Sequence, residues 1–378
     1  MQKYIPVAKP ERELSKIPHL NENFKKELLS GRYVGGRNVD VLEDSISDLL
    51  KIKYCSTMNS GTDALILSLI ALGISSGDEV IVPSFTYFAT VEAILQVNAV
   101  PVFADTEKDS FCISLNSIEK LITKKTKCII PVHLYGYDAD IKNIVNFAKN
   151  KGIKVIEDTA QAFGSRTEEN KYLGTYGDIN AFSNFPSKTL GGIGDGGFIT
   201  TENKKLYKKI NMLKNHGQIG TYNHEIVGIN SRLDSLNAYI LNEKLKIFNS
   251  ISKSRIEFTN FYLDIFRDIE FVKIPKINKY TLLNYFTILL PKEIRDVFKS
   301  ELNQNGIEAN IYYNTPIHMQ KVMHQSNVVY KNNHLKNTED LSLKALTLPL
   351  FSFPLKKELN HIKKNINKLI NKFSEVIN

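Results

Sequence analysis

The sequence predicts an α/β fold, a mainly parallel sheet covered by helices on both faces, followed by a smaller C-terminal α+β unit. Three observations carry that prediction. Short apolar runs alternate with amphipathic helical segments through the first two thirds of the chain. Near residue 245 the pattern changes to one long helix. Beyond it comes a shorter mixture of strands and helices, with no internal repeat and no Pro- or Gly-rich linker. The 378 residues exceed one domain of ~150 residues, so we expect a boundary near residue 245, giving units 1–245 and 246–378.

Periodicity assigns the elements in turn. Residues 63–72 read as a helix, 79–83 as a buried strand and 88–97 as a helix. Strand 100–104, helix 117–123, strand 128–134 and helix 141–151 follow, and a strand over 155–157 ends just before Asp158. Apolar strands this short, separated by helices, pair in parallel, and ligands of such sheets sit beyond the carboxyl ends of the strands. A long helix over 236–258 leads into strands 270–273 and 285–290, helix 294–305, strand 308–312 and a tail helix. In that tail Leu359, Ile362, Ile366, Leu369, Ile370 and Phe373 alternate with lysines at helical spacing, which predicts a docked helix with a wet basic face.

Composition narrows the function. Apolar residues make up 42% and charged residues 24%, enough to bury a core and too apolar for disorder. Mean hydropathy is −0.21 and no apolar run reaches the ~18 residues of a spanning helix, so no membrane role is expected. Cys55, Cys112 and Cys128 fit neither a disulfide framework nor a CxxC metal site and read as free buried thiols. The first residues lack an apolar signal-peptide core, so a cytoplasmic protein is expected. The net charge of +9 would suit an anionic partner, but the basic residues form no aromatic-interleaved stripe, and nucleic-acid binding is not expected.

Four motifs could carry chemistry. Ser60-Gly61-Thr62 opens an apolar helix, where unpaired N–H groups, a close backbone and two hydroxyls make a cup for one phosphate, or simply an N-cap. Asp158, in Glu157-Asp158-Thr159-Ala160-Gln161, follows an apolar strand and could hold a cationic ring nitrogen or cap the next element. Lys188 lies between Phe182 and Phe185 on one side and a glycine-rich loop on the other. A lysine confined there can act as an amine nucleophile, whereas on an open surface it would only be solvated. Asn230-Ser231-Arg232-Leu233-Asp234 is a polar cluster before the connecting helix. Gly192-x-Gly194-x-x-Gly197 matches a dinucleotide fingerprint by letter, but the next residues, 197–201, read as a strand where that fingerprint requires a helix. No HExxH, GxSxG or Walker-type motif is present, and no metal site is expected. His133, at a strand end, reads as a packing residue or a support behind the site.

Together and in order, SGTDAL, PSFTYFAT, IPVHLYG, VIEDTAQAFG, FPSKTLGGIGDGG, NHGQ and NSRLD resemble the DegT-type sugar-nucleotide aminotransferases. These are pyridoxal-phosphate enzymes of fold type I, and the resemblance runs from about residue 31 to 242, more thinly beyond. It implies a large domain with a seven-stranded type of sheet and a homodimer with shared active sites. Lys188 matches the lysine that links to the cofactor, and Asp158 the carboxylate on the ring nitrogen. Gln161 matches the amide near the ring hydroxyl and Tyr87 the stacking aromatic. Ser60 lies in the phosphate motif, Gly61, Thr62 and Ser183 match phosphate contacts, and Asn230 matches one supplied by the neighbouring subunit. Arg232 and Tyr313 fall near contacts to the sugar nucleotide.

The resemblance implies transamination in two half-reactions, with glutamate as donor, pyridoxamine 5'-phosphate between them and a dTDP- or UDP-linked keto-sugar as acceptor. The product would be an amino sugar of the kind used in lipopolysaccharide or surface polysaccharide. Relatives that dehydrate a sugar carry His where this chain has Lys188, so lysine favours transamination. The FPSK segment and NHGQ look most like members that aminate C3, with a 4-keto sugar as the alternative. A non-catalytic, cofactor-binding regulator on the same fold is the alternative of another class. Asn184 and Phe163 depart from the pattern, where an aromatic and His are frequent, and so does the segment 167–173.

Overall fold

The computed structural model describes residues 4–326, 328–332 and 334–377. Among the described residues there are ten strands: β1 Tyr54–Met58, β2 Glu79–Pro83, β3 Val100–Ala104, β4 Thr126–Ile129, β5 Lys154–Asp158, β6 Ile179–Ser183, β7 Gly197–Thr201, β8 Phe286–Leu289, β9 Lys331–Asn332 and β10 Ala345–Leu348. The α-helices are α1 Glu11–Leu14, α2 Leu20–Leu29, α3 Arg37–Leu50, α4 Gly61–Leu72, α5 Phe88–Gln96, α6 Leu115–Leu121, α7 Ile141–Lys151, α8 Lys204–Leu213, α9 Ser235–Lys246, α10 Phe248–Phe266, α11 Lys292–Gln304, α12 Lys336–Lys344 and α13 Lys356–Ile377.

The large sheet runs β1-β7-β6-β5-β4-β2-β3-β9. Every pairing from β6 to β9 is parallel, and β7 alone is reversed, antiparallel to both β1 and β6. Its strands β2, β6 and β7 are buried along nearly their whole length, because helices cover both faces. One core packs α4, α5 and α8 on one face, through Leu65, Leu69, Ile94 and Ile210. The other face carries a core shared with the C-terminal elements, including Phe258, Phe298, Ile366 and Phe373.

The structure corrects several expected elements. The sheet has eight strands rather than seven, since the two-residue β9 from the C-terminal part pairs with β3 at the edge. The helix expected over 236–258 is two helices, α9 and α10, broken at Ile247 (φ −106°, ψ 10°); no Gly or Pro marks the break. The strand expected over 128–134 ends at Ile129, because Pro131 has no N–H to continue the ladder and the chain turns into a short 3-10 helix, Leu134–Gly136. Residues 270–273 and 308–312 form only single bridges, Lys273 to Leu289 and Asn310 to Thr347. The partner of β8 is instead β10, which the apolar pattern did not single out. As expected, the segment after the glycine-rich loop is a strand and not a helix, and the three cysteines are buried and free.

The two sides of residue 245 are joined by the shared core and by backbone pairing. β9 joins the large sheet, and Ile5, near the start of the chain, bridges Ile307.

Candidate active site

The ends of β2, β5 and β6 and the first turn of α4 open on one cavity of about 390 Å³. Ser60, Gly61, Thr62, Tyr87, Asp158, Gln161, Ser183, Lys188 and Tyr313 all line it. Each arrives for a local reason. Ser60 is extended and its Oγ accepts the Asp63 N–H at 3.0 Å, so it is the N-cap of α4 as well as part of the cavity wall. Gly61 lets the helix start against the end of β6, because a Cβ there would stand 2.8 Å from the Ser183 Cβ. The unpaired N–H groups of that first turn, and the positive end of the helix dipole, face the cavity and favour an anion. Tyr87 is the extended residue before α5 and is 62% exposed, its ring 6.1 Å from that of Tyr313.

Asp158 closes β5. Its Oδ1 accepts the Ala160 N–H at 3.1 Å and its Oδ2 the Thr90 hydroxyl at 2.9 Å. Burial pushes its pKa up despite those two hydrogen bonds and the nearby Lys188 charge. Lys188 is half-buried, and desolvation in the cavity pulls its pKa down to about 8 against the attraction of Asp158. The two are electrostatically coupled but form no ion pair, and among the described residues nothing takes a hydrogen bond from the Lys188 Nζ. A half-buried amine and a buried carboxylate thus face one cavity without satisfying each other.

Gln161 is fixed in direction. Its Oε1 accepts the Tyr135 N–H at 2.8 Å, so its amide points the other way and donates to the Tyr313 hydroxyl at 3.3 Å. Behind the wall, His133 is fully buried with Nε2 2.9 Å from Glu157. Its Nδ1 accepts the Ala139 N–H at 3.2 Å, so the ring proton sits on Nε2 and His133 donates to Glu157. Glu157 is also held by the N–H groups of Gly174, Tyr176 and Gly177, and the His133 N–H donates to the Asp158 carbonyl at 3.0 Å. This pair braces the strand end that carries Asp158.

Asn230 and Arg232 do not join this group. Both are exposed, and the Arg232 Nε donates to the Asn230 Oδ1 at 2.9 Å, away from the cavity of their own chain. Sequence reasoning missed several wall residues, among them Thr90, Ser187, Tyr285 and Tyr312. Thr90 had a signal, since it lies one helical turn beyond Tyr87 in PSFTYFAT and so on the same side. Ser187 shares a 2.9 Å hydrogen bond with Tyr285, a contact between distant segments that no local pattern announces. A larger groove of about 570 Å³, lined by Lys108, Asp138 and Glu168 among others, holds none of the predicted residues. It is open and mixed in charge, and chemistry places the site in the smaller cavity.

The wall suits pyridoxal phosphate. A helix N-terminus offers donors to a phosphate, Tyr87 an aromatic face, Asp158 a buried carboxylate and Lys188 an unpaired amine. Comparison with known proteins points the same way. The model of the DegT/DnrJ/EryC1/StrS aminotransferase family matches residues 16–367. UDP-N-acetyl-3-dehydro-alpha-D-glucosamine 3-aminotransferase of Acidithiobacillus ferrooxidans is 39% identical over 329 residues, covering 86% of this chain and 87% of that one. GDP-perosamine synthase of Escherichia coli O157:H7 is 33% identical over 373 residues, 97% of this chain and 98% of its own. A crystal structure of NtdA from Bacillus subtilis with bound cofactor PMP superposes with a TM-score of 0.88 at 29% identity, covering 98% of this chain and 86% of that one.

Proposed function

This chain belongs to the DegT/DnrJ/EryC1/StrS aminotransferase family, and on that premise we propose that it moves an amino group from glutamate to C3 of a keto-sugar carried on dTDP or UDP, using pyridoxal 5'-phosphate. The observation that carries the proposal is the half-buried, unpaired amine of Lys188, its pKa lowered to about 8, lining the same cavity as the buried Asp158. The C3 choice rests on the FPSK and NHGQ segments and on the 39% identical 3-aminotransferase.

Bound pyridoxal phosphate supplies an electron sink for proton transfer at the carbon that bears the amino group. The protein does the rest. The first turn of α4, with Gly61, Thr62 and Ser183, would hold the phosphate. Asp158 would keep a proton on the ring nitrogen, and that cation would offset the cost of its own buried charge. Tyr87 would offer an aromatic face to the ring, and the Gln161 amide, which donates to Tyr313 in the free protein, would be the group near the ring hydroxyl. Lys188, whose lowered pKa of about 8 leaves a usable share of free amine at physiological pH, would act first as amine nucleophile and then as general acid–base. Tyr313 would contact the sugar nucleotide from the cavity wall, and Arg232, directed away from its own chain's cavity, would do so only in the site of a second copy.

We propose that the active unit is a homodimer. Tyr222 and Val227 are 87% and 94% exposed beside Asn230, an apolar surface that a second copy would cover, and Asn230 would then reach the partner's phosphate. No helix of the described residues is long and apolar enough to cross a membrane.

The test is the visible spectrum of the purified protein with pyridoxal phosphate. A yellow band that bleaches with glutamate, and is lost as a lysine-linked species in Lys188→Ala, supports the first half-reaction. Return of the band with a 3-keto nucleotide sugar and not its 4-keto isomer supports the C3 reading. A protein that stays colourless overturns the proposal, and a bound cofactor that glutamate never bleaches favours a regulator.

A further inference from the structure

The loop that carries Lys188 is held from behind by one face of α9. The Asn237 side-chain oxygen accepts the Ile193 N–H at 3.0 Å, and its amide donates to the Asp195 carbonyl at 2.8 Å. Two turns along the same face, the Lys244 Nζ donates to the Gly191 carbonyl at 2.6 Å. Gly191 sits tight against the turn that presents Lys188. A Cβ at Gly191 would stand 2.3 Å from the Pro186 carbonyl oxygen, and the Lys188 N–H donates to the Phe185 carbonyl at 2.9 Å. A shift at Gly191 therefore passes directly to the turn bearing Lys188.

Lys244 is fully buried, and its counter-charge comes from far along the chain. The Glu13 Oε2, in the short helix α1, lies 2.7 Å from its Nζ. The other Glu13 oxygen accepts the Ser352 hydroxyl at 2.8 Å. Neighbouring Arg12 anchors the segment further, donating to the Phe353 carbonyl at 2.9 Å and pairing with Glu358 at 2.7 Å. A buried ion pair is a weak source of net stability, because desolvating two charges offsets their attraction, and apolar replacement of both is often neutral. What an ammonium does here, and an apolar chain cannot, is take a backbone carbonyl and fix its direction.

We infer that Lys244, held in place by Glu13, is a positioning residue for Lys188: it sets the glycine-rich loop so that the Lys188 amine is presented to the bound cofactor. The inference rests on the pyridoxal-phosphate reading above and adds to it a control point outside the cavity.

The test compares full-length wild type with Glu13→Gln/Lys244→Met and with Glu13→Gln alone. Three quantities are read: the urea midpoint, the affinity for pyridoxal phosphate, and the share of bound cofactor that is lysine-linked. That share is measured from the visible band and from borohydride trapping on the Lys188 peptide. We expect the double variant to keep its urea midpoint while the linked share falls about tenfold, since small misplacements of a reacting group cost that much or more. A merely structural role would lower midpoint and affinity together and leave the linked share of what is bound unchanged; that result overturns the inference. Should the double variant fail to fold, Glu13→Gln carries the test: it keeps the side-chain shape but leaves the buried Lys244 ammonium without its counter-charge, so its urea midpoint falls and the linked share is read on the protein that is folded. Its linked share falls in the same direction, and a folded Glu13→Gln with wild-type linkage overturns the inference. If wild type traps no cofactor on Lys188, the underlying reading fails and takes this one with it. If wild type traps it and the variants trap it equally, this inference alone fails.

Discussion

Lys188 combines desolvation with the absence of a hydrogen-bond partner, and that has a cost in the free protein. Its pKa falls from 10.5 to about 8 on folding. Between those values the unfolded chain holds a proton that the folded chain does not, so stability rises with pH across that window. The cost is fully present below pH 8 and is relieved near pH 10.5. Lys188→Met, freed of cofactor, is therefore expected to be more stable than wild type at pH 7, by at most on the order of 3 kcal/mol. The gap closes as pH approaches 10.5. Urea denaturation of the two cofactor-free proteins across pH checks this, and equal stability at pH 7 would count against a desolvated amine. By the same reading, Asp158→Asn keeps the lysine linkage but loses the partner of the ring nitrogen. Turnover should fall about 10²–10³-fold while the visible band persists. At this scale the sequence was informative where a residue follows a strand or opens a helix. Asp158 and Ser60 could be read that way, whereas Tyr285 and Tyr312 reach the cavity only through tertiary folding.

Helix α4 shows the same logic one level up. Its start is fixed by a serine cap and by a glycine with no room for a side chain. Ser60→Ala should cost about 1 kcal/mol through the lost cap. Gly61→Ala should cost about 1–3 kcal/mol, because its methyl group must push α4 off Ser183. The second change also moves the phosphate cup, so it should weaken pyridoxal phosphate binding more than the first; thermal unfolding and cofactor titration of both variants measure the two effects. Strands rich in Val and Ile, such as β2, were legible from composition alone. Three others were not: β1 reads YCSTM, β6 INAFS and β10 ALTL, small or polar residues that a strand assignment would not favour. Their burial comes from their place in the sheet, with β1 paired to the reversed strand β7. The break at Ile247 was hidden for the complementary reason. Apolar residues run straight through it, and both helices bury them.

At the scale of the whole molecule we propose two units, 1–245 and 246–378, working as a dimer whose sites are completed by exchange of Asn230. Lys188→Ala and Asn230→Ala proteins should each be nearly inactive alone. Mixed after unfolding and refolding together, they should regain activity, since one site of each mixed dimer then has both residues intact. No recovery would mean that Asn230 serves only its own subunit. That role came from resemblance and not from any local signal, because an exposed asparagine in a polar loop is unremarkable by itself.

The anchoring of residues 5–17 against Ile307, Ser352 and Glu358 also bears on the order in which the chain can take shape as it is made. The groups that fasten the Glu13 segment emerge some three hundred residues after it. Until then Lys244 has left the ribosome without its carboxylate, beside a glycine-rich loop it cannot yet hold. The segment around Glu13 is thus among the last parts to settle, and a ribosome-bound chain that stops before α13 should be found with the sheet formed and the Lys188 loop still loose.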